Sequence, residues 1–260
     1  MSSKPLAIGG VVSAVLALGG IGTYLVLASG DDEKTTTAAS SASPSPSAST
    51  SPAPTQTTAL GDLVEIDWCD EYSDANVQES AVEAYGEDGV KDAYCYVVAF
   101  TLEKSTWVPS VLKEPAGGYK PEMFDFVKAY MTENLQEGWT STVKEALNGD
   151  PLATELVRGL LFYQLPADME LQDKVINKKV ELKDAYALEG DDGGRLMITL
   201  EASGDLVVKK DGQDKLLPTR KTVTYSLMPN EDGDASWIID GFDPEPWMGG
   251  VDDLQPMPQG

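Results

Sequence analysis

The chain opens on an unbroken apolar run. Leu6 to Ala28 (LAIGGVVSAVLALGGIGTYLVLA) holds 23 residues without a charge. At ~1.5 Å per residue a helix of that length covers about 34 Å, enough to cross a hydrocarbon core of ~30 Å. Lys4 lies on the short side, and Asp31, Asp32 and Glu33 lie beyond the run. The positive-inside bias therefore predicts a cytoplasmic tail over 1–5 and an outer remainder. A cleaved signal peptide is the rival reading, and Ala28-Ser29-Gly30 could serve as its cleavage site. Its apolar region would be only ~7–15 residues long, however. The expectation is an uncleaved transmembrane helix over 6–28, with the cytoplasmic membrane as its partner. Gly10 and Ala14 have the small-xxx-small spacing that lets two such helices approach, which makes a second copy of the chain a candidate partner.

Beyond the span the periodicity stops. Residues 29–60 are mostly Ser, Thr, Ala and Pro, with no aromatic side chain. Nothing there can offset the entropy of ordering, so the stretch reads as a disordered linker. A linker of that composition holds a domain away from the membrane, at roughly 30 Å as a coil and up to about 90 Å if extended.

Patterning returns in 61–248. Ser73-Asp74 predicts a cap for a helix from Ala75 to Tyr85, stopped by Gly86, and the run Ala93 to Leu102 reads as a strand. Lys120-Pro121 opens a helix in which Met123, Phe124, Val127, Tyr130, Met131 and Leu135 recur at three and four, ended by Gly138. Thr142-x-x-Glu145 has capping-box spacing and predicts the start of a short helix stopping at Asn148-Gly149. Asp150-Pro151 starts another, containing Leu152, Leu156, Leu160 and Tyr163 and closed by Pro166. The second half alternates instead: Val175–Leu188, Arg195–Ala202, Asp205–Lys210, Lys215–Met228 and Ser236–Phe242 read as strands. Helices followed by an antiparallel meander predict an α+β domain, with the helices packed on one face of a curved sheet. Residues 249–260 read as a flexible tail.

Composition removes several functions. The 260 residues carry 43 Asp and Glu against 19 Lys and Arg, a formal charge of −24, with no His and two Cys. Without His there is no Ser-His-Asp or Cys-His catalysis and no His-ligated zinc. Two cysteines cannot hold a structural zinc. So acidic a chain repels nucleic acid, and no nucleic-acid partner is expected. Cys69 and Cys95 lie on the side expected to be oxidising and predict a disulfide. Asp67, Asp70 and Glu71 give Cys69 the wrong surroundings for a reactive thiolate.

Other constellations are weaker. Asp191-Asp192 and Asn230-Glu-Asp-Gly-Asp234 suggest calcium but lack the loop spacing, and hairpin turns explain them. Trp68, Trp107, Trp139, Trp237 and Trp247 could line a sugar or lipid groove, but most fit core or edge packing, and Trp247 is the one expected at the surface. The basic residues concentrate at Lys174, Lys178, Lys179 and Lys183, then Lys209, Lys210, Arg220 and Lys221; these read as solvated strand faces or as a dock for an anionic polymer. No catalytic residue, cofactor or metal site is predicted.

Helices first, long antiparallel strands after them, and the ending Trp237-Ile-Ile-Asp-Gly-Phe242 resemble the NTF2-like or cystatin-like cone over Pro121 to Phe242. The layout of tail, span, linker and domain is similar to membrane-anchored accessory proteins of actinobacteria, of the Mce-associated and conjugation-apparatus kind. The resemblance implies a single-pass membrane protein with an extracellular domain. Enzymatic members use an Asp–His pair in the cone, and this chain has no His to carry it over. The functional expectation is a non-enzymatic, membrane-tethered binding or scaffold module of a cell-envelope complex, with an envelope protein as partner. The alternative is a sensor or carrier holding a small apolar ligand in the cone.

Overall fold

Alternation along the second half of the chain builds one long sheet. The computed structural model describes residues 55–57, 63–65, 68–189, 194–230 and 235–258. Four strands form an antiparallel meander: β3 (Glu170–Leu188), β4 (Arg195–Lys210), β5 (Gln213–Pro229) and β6 (Trp237–Met248). Beyond β3 lie β1 (Thr55–Thr57) and then β2 (Leu63–Glu65), and β7 (Gln255–Pro256) pairs with β5. In β4 the even positions Leu196, Ile198, Leu200, Ala202, Leu206 and Val208 all enter the core. Their partners across the ladder are Leu227, Tyr225, Val223, Lys221, Leu217 and Lys215. A two-residue turn at Asp211-Gly212 joins β4 to β5, with φ of 52° and 76°. Two successive positive φ values favour a short-side-chain polar residue followed by glycine, and their twist matches the flanking strands.

The helices cover the core face: α1 (Glu79–Ala99), α2 (Pro109–Leu112), α3 (Glu133–Leu147) and α4 (Pro151–Leu160). Tyr94, Phe100, Phe124, Trp139, Phe162 and Tyr163 fill the space between the two layers. The chain is therefore α+β, with helices packed on an antiparallel sheet. Asp150 caps α4 by accepting from the Ala153 N–H at 2.8 Å, and Pro151 occupies its first turn.

Several local expectations are corrected. Ala93 to Leu102 is helical, running from α1 into a π-helical turn over Phe100–Ser105. Val90, Ala93, Tyr94, Val97 and Val98 are all buried while Lys91 and Asp92 are exposed, so the apolar residues form the core-facing stripe of a helix. The helix expected from Pro121 to Gly138 is split into a 3-10 segment, Pro121–Tyr130, and α3. Between them Met131 bridges to Ile239 and the Thr132 N–H donates to the Ile239 carbonyl at 2.9 Å. Main-chain pairing on the open edge of β6 thus outweighs helical continuity. Thr142 lies inside α3 and donates to the Gly138 carbonyl instead of capping. Thr55–Thr57, expected within the linker, is a short strand between β3 and β2, because a ladder needs main-chain groups and not an apolar pattern. After Met248 the stretch read as a flexible tail turns through Val251–Asp253, and β7 pairs Gln255 with Leu216.

The sulfurs of Cys69 and Cys95 are joined, as expected, tying the 3-10 turn Trp68–Glu71 to α1. Among the described residues no helix is long and apolar enough to cross a membrane. The expected span over 6–28 lies outside them, as do 29–54 of the linker.

Gly159 marks the closest approach of α4 to β6. A Cβ there would lie 2.1 Å from Pro244 Cβ and 2.2 Å from Pro244 Cγ. A proline ring cannot rotate aside, so Gly159→Ala must push the helix off the strand. The expected cost is about 1–3 kcal/mol, read as a lowered denaturation midpoint. An unchanged midpoint would show slack between the two elements.

Candidate functional site

The core face of the sheet is filled by the protein's own side chains. A cavity of about 20 Å³ remains between α3, α4 and β6, lined by Leu135, Trp139, Leu156 and Phe242 among others, with room for roughly one water. Several polar groups on this side are spent on one another, while the Tyr94 and Tyr163 hydroxyls and Ser105 Oγ are buried without a hydrogen-bond partner among the described residues. Thr101 and Tyr225 share a hydrogen bond of 2.8 Å between hydroxyls, and burial pushes the Tyr225 phenol well up. Trp107 donates through Nε1 to Thr219 Oγ1 at 2.9 Å, and that hydroxyl donates to the Gly204 carbonyl at 2.6 Å. Lys221 is 1% exposed and donates to the Leu160 carbonyl at 3.0 Å. Burial holds its ammonium well below the ordinary lysine range.

The opposite face carries an open groove of about 670 Å³. Register explains its composition. Lys179 of β3 pairs with Ser203 of β4, Ser203 with Arg220 of β5, and Arg220 with Trp247 of β6. These four residues form one row across four strands. With side chains alternating between faces, all four point away from the core face. At ~4.8 Å per strand the row is about 14 Å long. Gly204 and Pro218 contribute to the lining between them.

Two cations in the row are unspent. Among the described residues neither Lys179 nor Arg220 has a carboxylate within ion-pair distance, although the chain holds 43 acidic residues. Asp205 at the groove wall accepts from Asn177 Nδ2 at 2.6 Å. Lys178 also lines the groove, half-buried, with its Nζ 5.4 Å from the centre of the Trp107 ring. Burial lowers its pKa, and Glu103 opposes part of that shift. Trp247 is 44% exposed.

The next row is acidic: Glu181, Glu201, Thr222 and Glu245 in register. Lys183 spans its first two members, at 2.8 Å from Glu181 and 3.7 Å from Glu201. Asp243, two residues before Glu245, has its carboxyl raised by burial and then by the Glu245 charge.

The remaining sequence candidates are dispersed. Trp68, Trp107, Trp139 and Trp237 are buried, and Trp247 alone of the five tryptophans is exposed. Of the basic residues, Lys210 pairs with Asp168 at 3.4 Å and Lys174 and Lys209 are exposed. Asp191-Asp192 and residues 231–234 lie outside the described residues. Among the described residues no group of three or more acidic or sulfur ligands is placed to hold a metal. No family model and no curated protein matches the chain.

Proposed function

We propose that the chain is a non-enzymatic binding or scaffold module. It is tethered through residues 6–28 to the cytoplasmic membrane, with its N-terminus inside and its domain displayed in the cell envelope to a protein partner. One observation carries this reading. The core face is closed by packing, whereas the outer face keeps an open groove with an exposed tryptophan and two cations that no carboxylate of the described residues pairs. Unspent charge beside exposed aromatic surface is the usual composition of a recognition site. The element order, helices before a four-stranded meander, supports the resemblance to the NTF2-like cone and its membrane-anchored members.

Cross-linking in cells, followed by detergent purification of the intact chain and mass spectrometry, tests the proposal. The expected result is a stoichiometric envelope protein that is lost when residues 61–260 are deleted. Recovery of the chain alone, with or without the domain, would refute it.

A further inference from the structure

We infer that the outer groove binds an acidic oligosaccharide, with Lys179 and Arg220 holding its carboxylates and Trp247 stacking on a sugar ring. This assignment rests on the binding-module reading and gives that site its ligand chemistry.

Three features of the groove lead to it. First, its volume of about 670 Å³ falls within the ~300–1,000 Å³ typical of small-ligand sites. Second, its charge is local. Lys179 and Arg220 line the groove with one carboxylate, Asp205, which is already engaged by Asn177. The Lys178 ammonium turns to the Trp107 ring and Glu103, and Glu181, Glu201 and Glu245 stand in the next row. An anion is therefore favoured inside the groove. The chain's charge of −24 repels densely charged polyanions at longer range, so the ligand must carry few, spaced charges. A short oligosaccharide with one carboxylate per sugar unit carries two or three charges in all and meets that condition; a long polyanion does not.

Third, the row runs across the strands on the face of the sheet. A sheet face offers side chains, because its main-chain donors and acceptors are committed within the ladder. A peptide lying across it would find no partners for its backbone. On the flanks of the meander Val77 and Thr57 each bridge β3 at one residue, and Met131 bridges β6 at one. A peptide adding along the rest of β6 would pair main chain at the edge and leave the row of side chains on the face uncovered. A sugar needs no backbone pairing. Its ring faces suit the exposed indole of Trp247, its hydroxyls suit Ser203 and Asn177, and its carboxylate suits the guanidinium of Arg220 in bidentate geometry. Arg220 and Trp247 are neighbours in register, so one sugar unit can meet both.

The experiment is calorimetric titration of the full-length protein in detergent with trigalacturonate, with its methyl ester and with triglutamate. Trigalacturonate should bind, and the ester, which keeps every ring and loses the charge, should bind about tenfold or more weakly. Arg220→Gln, Lys179→Gln and Trp247→Ala should each weaken trigalacturonate roughly tenfold, in line with the loss of one charge-assisted or stacking contact. All three residues are exposed, so thermal unfolding should stay unchanged and separate lost binding from lost fold. Glu245→Gln, in the neighbouring row, should leave affinity at or above the wild-type value.

Absence of sugar binding, equal binding of the ester, or affinity that survives both Arg220→Gln and Trp247→Ala would overturn the assignment. So would triglutamate binding more tightly than the sugar, which would give the groove to an acidic peptide. If the sugar fails while a protein partner still co-purifies, the ligand assignment falls alone and the tethered module stands.

Discussion

Replacing both Cys69 and Cys95 with serine is expected to lower the stability of the domain by about 3.5 kcal/mol, the loop-closure entropy released by a 26-residue separation. The bond joins a short turn to α1, which is kinked at Gly86, and the turn is also anchored by Trp68 in the core. Trp68 is buried beside Cys69 with no partner for its indole N–H among the described residues. Tyr72 touches Tyr94 with ring centroids 5.3 Å apart. Those apolar contacts should survive in the double variant, with Trp68 keeping the turn on the core. Denaturant unfolding followed by tryptophan emission measures the loss, with the midpoint falling and the slope kept close to wild type. A change below about 1 kcal/mol would mean that the unfolded chain already holds the two segments together, contrary to the loop-entropy account. The effect also bears on the proposed location. A cytosol keeps such thiols reduced, so the fully stable domain is the one displayed in an oxidising compartment.

The disulfide was legible because two cysteines in an acidic, His-free chain leave few alternatives. The sheet was legible for a different reason. In β4 and β5 one face meets the core and the other meets water, so burial writes a period of two directly into the residues. Asp150 was readable as a cap because its side chain accepts from a nearby main-chain N–H. Ser73, by contrast, caps only the 3-10 turn Asp74–Asn76, and the helix expected from Ala75 starts at Glu79, with its break at Gly86 where the sequence placed a stop. Residue type hid α1: Val90, Ala93, Tyr94, Val97, Val98 and Leu102 recur at three and four as on a helix face, but the aromatic and β-branched content of Ala93 to Leu102 mimics a strand. Pro244 and Pro246 concealed the end of β6, since prolines speak against a strand unless it lies at an edge.

The groove was hidden by register. Lys179, Arg220 and Trp247 could each be singled out from the sequence, but as a basic cluster and a lone aromatic residue. Three pairings, Lys179 with Ser203, Ser203 with Arg220 and Arg220 with Trp247, place them in one row. A slip of one residue in any of those ladders would turn the following members to the core face. Lys221 shows the consequence. It follows Arg220 directly, and the alternation that leaves Arg220 exposed buries Lys221 completely. The basic cluster therefore separates into groove residues and one interior lysine of opposite character.

That interior lysine carries the other large effect: Lys221→Met is expected to raise stability at neutral pH by about 2 kcal/mol. The ammonium loses its hydration on burial and receives one carbonyl, that of Leu160, in return. Methionine keeps the unbranched length and fits the same channel, leaving the Leu160 carbonyl short of one donor at a cost of about 1 kcal/mol. The pH dependence separates this origin from simple repacking. Burial places the folded-state pKa of Lys221 well below 10.5, so between that lowered value and 10.5 the unfolded chain binds one more proton than the folded one. Stability then rises with pH through that window, by about 1.4 kcal/mol per unit for one proton. Lys178, also lowered by burial, adds to the same limb. Above about 10 the direction reverses: Tyr94, pushed up to about 12, and the buried Tyr96 and Tyr225 keep phenol protons that the unfolded chain has lost. Wild type should therefore reach a maximum near the top of the lysine window. Lys221→Met should flatten most of the rising limb, leave the Lys178 share, and keep the falling one. Denaturant midpoints measured across alkaline pH decide the matter. A rising limb of wild-type slope in the variant would show that Lys221 is not the group that takes up the proton on unfolding. A variant less stable than wild type at neutral pH would show that the Lys221–Leu160 hydrogen bond outweighs the desolvation of the ammonium.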